Sequence, residues 1–102
     1  MIEYGEKTYE LKYGLKRVEL IETATGSPMM AELSKNNAML GLSALKTYFA
    51  YGLKEEGADA FVPPKKGMEI AETLIESEGY MSVCGMVLEA LERDCPFFFL
   101  GA

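Results

Sequence analysis

The chain has 102 residues, 49% hydrophobic and 25% charged, with no Trp, no His and a formal net charge of -6. That balance belongs to one domain with a core and not to a disordered chain, since single domains commonly hold about 100 to 150 residues. The negative charge opposes a phosphate backbone, so nucleic acid is not an expected partner, and without His no Ser-His-Asp or Cys-His catalytic arrangement can form within the chain.

The opening MIEYGEKTYE carries charges where a signal peptide needs an apolar run. No later stretch approaches the roughly 20 apolar residues of a membrane span, so the expectation is a cytoplasmic protein with no membrane partner. Ile2 to Tyr4 and Thr8 to Tyr13 flank Gly5-Glu6-Lys7, and Tyr9, Leu11 and Tyr13 alternate with Glu10 and Lys12, which predicts a hairpin over residues 1–14. An isolated hairpin is marginal in water, so its apolar face must be covered by the rest of the fold or by a neighbour.

Leu15 to Ala24 reads as a short amphipathic helix, with Leu15, Val18 and Ile21 at near-helical spacing and Leu20 beside them. Thr25-Gly26-Ser27-Pro28 breaks it, and Met29 to Leu33 has the composition for one further helical turn before Ser34-Lys35-Asn36-Asn37. Ala38 to Glu56 reads as the central, most buried helix, stopped by Gly57. Gly41 and Gly52 weaken it, which suggests close approach of a neighbouring helix at both points.

After the connector Asp59 to Pro64, the run Lys65 to Ser77 places Met68, Ala71, Leu74 and Ile75 on one side and Glu69, Glu72 and Glu76 on another. Gly79 separates it from Tyr80 to Asp94, whose stripe is Val83, Met86 or Val87, Ala90 and Leu91, and Pro96 forbids continuation. The expected fold is α+β, mainly α: an N-terminal hairpin packed beside a small bundle of about four helices. It forms a single domain, with hairpin 1–14, helical part 15–95 and apolar tail 96–102. Leu42, Leu45, Phe49, Leu74, Ile75, Val87 and Leu91 are the expected core.

No motif carries catalytic chemistry. The glutamates sit where solvated helix faces are expected, no Gly-rich run matches a phosphate loop, and Lys12, Lys16, Arg17, Lys65 and Lys66 read as exposed surface charges. Cys84 and Cys95 have no CxxC spacing and no His to complete a zinc set, so neither metal nor cofactor is expected. Binding is the better reading. Met29 and Met30 are adaptable apolar side chains in a predicted loop. Phe97, Phe98, Phe99 and Leu100 form a terminal apolar run that wants cover, from the chain's own helices or from a subunit or client.

The stretches YELKYGLKRVELIE, LSALKTYFAYGLKEEG and EIAETLIESEGYMSVCGMVLEALE with the aromatic end, taken in that order, resemble the tail assembly chaperones of long-tailed bacteriophages and prophages of Gram-positive bacteria. The resemblance covers most of the chain outside Met29 to Asn37. It implies a non-catalytic cytoplasmic helper that associates with the tape-measure protein and/or tail tube subunits during tail construction, and that forms homo-oligomers. No catalytic residue comes with it. The alternative from another class is a structural head-tail joining or minor tail subunit of a phage particle.

Overall fold

The computed structural model describes residues 2–35 and 39–99. In chain order the elements are β1 (Ile2–Tyr4), β2 (Lys7–Leu11), α1 (Leu15–Thr25), α2 (Met29–Lys35), α3 (Leu42–Gly52), β3 (Leu53–Glu55), α4 (Pro64–Glu78) and α5 (Tyr80–Asp94), then a 3-10 turn, Pro96–Phe99. This is an α+β fold dominated by helices, as the patterning predicts.

Gly5, at φ 64°, makes a two-residue loop between β1 and β2, which pair antiparallel with Tyr4 opposite Lys7 and Ile2 opposite Tyr9. Positive φ is free of strain only for glycine, so Gly5 fixes the register. Tyr9, Leu11 and Tyr13 are all buried, as their alternation requires. The hairpin gains a third strand: β3 pairs antiparallel with β2, Leu11 opposite Leu53 and Tyr9 opposite Glu55.

That strand corrects the long helix expected from Ala38 to Glu56, because α3 ends at Gly52 and the chain turns directly into the sheet. The physical reason is tertiary. The free edge of β2 presents backbone groups that need partners, and they find the Gly52 carbonyl, through the Lys12 N–H, and the Glu56 N–H, which reaches the Thr8 carbonyl. Leu53, fully buried, takes its place in the core from an extended backbone. The outer edge of β3 is closed in turn by a bridge to Phe61, with the Val62 N–H on the Leu53 carbonyl.

The core forms around α3, whose Leu45, Tyr48, Phe49 and Ala50 are fully buried. Ile70 and Ala71 of α4, Val83, Val87 and Leu91 of α5, and Val18 and Ile21 of α1 join them in one cluster, which also takes in Tyr9 and Leu11 of the sheet. Six of the seven expected core residues lie in this cluster or, for Ile75, pack against it. Leu42 does not. It stands on the outward side of the first turn of α3, 55% exposed, while Leu40, just before the helix, takes the inward position.

The close approaches are also relocated. Gly41 has open space around it, whereas a Cβ at Gly52 would enter the ring of Tyr13, which belongs to the chain leaving β2 and not to a helix. The helix contact runs through Gly67 of α4, whose added Cβ would meet the backbone oxygen and Cα of Ala50 at 2.7 and 2.8 Å. Backbone cannot step aside as a flexible side chain can. Gly85 on α5 has nothing within 4 Å of its added Cβ.

The end of α5 clasps the exit of the hairpin. Asp94 Oδ2 accepts the Tyr13 backbone N–H at 2.9 Å, Arg93 donates to both oxygens of Asp94, and the same guanidinium donates to the Leu11 carbonyl. Burial by itself raises the Asp94 carboxyl, yet the hydrogen bonds from Arg93 and Tyr13, with the charges of Arg93 and Lys12, outweigh it and hold the group below its ordinary value.

Two predictions follow from this packing. Gly67→Ala should destabilise the protein by about 1 to 3 kcal/mol through overpacking, even though alanine favours a helix. Gly85→Ala should instead stabilise by about 0.5 to 1 kcal/mol, and paired thermal melts read the opposite signs. The depressed Asp94 means stability that is complete above the ordinary carboxylate value near 4 and lost as pH falls through the lower folded value. Asp94→Asn should cost about 1.5 to 3 kcal/mol at neutral pH and flatten the acid limb of a pH series of denaturant titrations.

Candidate functional site

The residues singled out for binding divide between core and surface. Met29 is a correction: it is fully buried. Gly26, at φ 76°, ends α1 with its N–H on the Glu22 carbonyl, and the Glu22 carboxylate then reaches forward to accept the Met29 N–H at 2.6 Å. This holds the first turn of α2 against α1 and aims the Met29 side chain inward, where it joins the core cluster. Met30, one position on, faces outward and is about half-exposed.

The tail behaves similarly where it is described. The 3-10 turn lies on α5, with the Phe98 N–H on the Cys95 carbonyl, and Phe98 packs against the core while Phe97 stays nearly half-exposed. Their ring centroids are 4.9 Å apart. The side chain of Phe99, and Leu100 altogether, lie outside the described residues. The chain's own last helix therefore covers part of the tail and leaves Phe97 in water.

The described residues contain no group of three or more His, Cys, Asp or Glu placed to hold a metal ion. Cys84 and Cys95 are buried free thiols, and burial, helped by the Asp94 charge, pushes the Cys95 thiol up, the opposite of an activated nucleophile. No helix among the described residues is long and apolar enough to cross a membrane.

No motif in the sequence announces a strongly apolar depression on the surface. It is an open groove of about 690 Å³ at the start of α1, with Tyr13 at its floor and Leu15, Leu20 and Phe61 along its walls. Leu15 and Leu20 are 59% and 45% exposed, so of the four apolar positions assigned to the buried stripe of α1 only Val18 and Ile21 reach the core. The signal was present in the spacing. Leu20 immediately precedes Ile21 and cannot share its face of a helix, and Leu15 belongs to the first turn, beside the hairpin exit.

Cations surround this groove. Lys16 and Arg17 line it, the Arg17 guanidinium stacks 3.8 Å from the centroid of Phe61, and Lys54 Nζ lies 5.9 Å from the same ring. Arg17 is anchored, its Nε donating to the Tyr51 carbonyl in the last turn of α3. Burial, before the opposing effect of Tyr51, draws its pKa down. The first turn of α1 holds no acidic residue and no side-chain cap, so nothing local offsets Lys16 and Arg17 at the positive end of the helix dipole.

Comparison of the chain with protein-family models, with curated proteins and with solved structures finds no match.

The division between the two methionines is directly measurable. Met29→Ala should cost about 2 to 5 kcal/mol of unfolding free energy, the range for a fully buried methionine. Met30→Ala should stay within about 0.5 kcal/mol of the parent, as surface changes do, and denaturant titration of the pair checks the assignment.

Proposed function

We propose that this protein is a bacteriophage tail assembly chaperone, a non-catalytic domain that holds the tape-measure protein, and tail tube subunits with it, until the tail is built. The reading rests on the resemblance carried by YELKYGLKRVELIE, LSALKTYFAYGLKEEG and EIAETLIESEGYMSVCGMVLEALE. One structural observation supports it: a small acidic domain keeps large apolar side chains in water at several separate places, among them Leu15, Leu20, Met30, Leu42, Met81 and Phe97. Scattered apolar residues are ordinary on a protein surface, but a groove walled by two of them, Leu15 and Leu20, together with the half-buried Phe61 is a place for a partner's side chains.

Catalysis has less to stand on. The groove is lined by carbon and cations, without a paired acid and base or an activated thiol. The proposed site of action is the bacterial cytoplasm, where tails are assembled.

The test is co-expression with the tape-measure protein that this reading requires in the same genome. The chaperone reading expects the two to co-purify, the tape-measure protein to become insoluble when expressed alone, and purified phage particles to lack this chain. Its presence in stoichiometric amounts in purified particles would transfer the assignment to a structural joining or minor tail subunit. Failure to capture either the tape-measure or the tube protein would remove the chaperone reading altogether.

A further inference from the structure

The groove at the start of α1 has a composition that selects its partner. The chain as a whole is acidic, with 16 Asp and Glu against 10 Lys and Arg. Yet the rim of this apolar depression carries Lys16 and Arg17, with Lys54 beyond Phe61. The acids of α1 lie elsewhere: Glu19 and Glu22 line a separate depression toward Pro28. A partner with basic flanks would be repelled at the rim, and a purely apolar one would leave Lys16 without a counter-charge in a low-dielectric contact.

The neighbouring sheet edge excludes another mode. The outer edge of β3 is already bridged by Phe61, so no backbone ladder is free beside the groove to accept an added strand. A partner must enter with side chains. An amphipathic helix does this with apolar anchors at i, i+3, i+4 and i+7, and its polar flanks then fall on the rim.

We propose that the groove formed by Tyr13, Leu15, Leu20 and Phe61 docks an acidic amphipathic helix of a partner protein, its apolar stripe seated between Leu15, Leu20 and Phe61 and its carboxylates on Lys16, Arg17 and Lys54. This deepens the chaperone reading and rests on it for the identity of the partner, while the groove and the chemistry it selects stand on the geometry. Arg17 is the preorganised member, fixed by the Tyr51 carbonyl and the Phe61 ring before any partner arrives. Lys16, exposed, adds a second positive charge at contact range.

The experiment uses the full chain and three synthetic helical peptides of about 15 to 20 residues. They share the same leucine positions and carry glutamate, glutamine or lysine at every polar position. Fluorescence anisotropy should give the glutamate peptide an affinity at least about tenfold above the lysine peptide, with the advantage shrinking as salt rises. Amide shifts should move at Leu15, Leu20 and Phe61. Leu20→Ser and Lys16→Glu alter exposed side chains, so neither should lower the melting temperature, while each should weaken the glutamate peptide about tenfold. Lys16→Glu should in addition narrow the gap to the lysine peptide.

Equal affinity for all three peptides, shifts confined to another face, or equal binding by an acidic peptide without leucines would each overturn the proposal. So would sedimentation showing a dimer of the parent that Leu20→Ser dissolves, because the occupant would then be a second copy. The two readings separate cleanly. Tape-measure capture that survives both substitutions overturns the groove and keeps the chaperone. Peptide binding at the groove without tape-measure or tube capture keeps the groove and overturns the chaperone.

Discussion

Helix α3 has to be covered almost all round, and the other elements are arranged by that requirement. Leu45, Tyr48, Phe49 and Ala50 reach zero exposure within six residues, more than a helix with one apolar face can show. One neighbour cannot bury them. α4 comes close enough for Gly67 to lie on the backbone of Ala50, while α1 and α5 pack against other sides of α3. The three-stranded sheet closes over the C-terminal end, where Tyr13 sits on Gly52 and donates its hydroxyl to the Tyr48 carbonyl at 2.7 Å. Both glycines are space requirements. Each marks a surface where any side chain would push two layers apart.

Much of this was legible from periodicity. The alternation of Tyr9, Leu11 and Tyr13, the stop at Thr25-Gly26, and the 3.6-residue stripes from Lys65 to Ser77 and from Tyr80 to Asp94 report one buried face each, and one buried face is what a period reveals. The failures share a cause. Leu53, Lys54 and Glu55 carry no strand pattern of their own and become a strand because β2 has an edge to satisfy, a fact stored more than forty residues upstream. Leu42, Leu15 and Leu20 look like core residues because leucine at a helical position usually is one, and nothing local says that Leu40 has already filled the inward place. Met29 resembles an exposed binding residue because the carboxylate that turns it inward lies seven residues back, which no window of hydrophobicity records.

The electrostatics of the surface run against its average. A chain of net charge -6 should repel acidic partners at long range, and at physiological salt that repulsion is damped beyond about 8 Å. Within that distance the local arrangement decides. Around Phe61 three cations and two exposed leucines meet, and one of the cations is held rigid by the carbonyl end of α3. Stacking a guanidinium on an aromatic ring contributes about 0.5 to 1 kcal/mol at an exposed site, so it keeps Arg17 in place without consuming its remaining donors. A negative charge near Phe61 therefore meets net repulsion at a distance and attraction at contact.

The clasp between Asp94 and Tyr13 joins residues 81 apart in the chain. A ribosome adding about 5 to 20 residues per second produces those residues in roughly 4 to 16 seconds, far longer than the microseconds a hairpin needs to form. For the first half of that interval the newborn hairpin lacks its third strand, and for all of it the helix that secures its exit, so the apolar face of Tyr9 and Leu11 waits for its cover. Birth order thus leaves the molecule briefly a client before it is a finished domain.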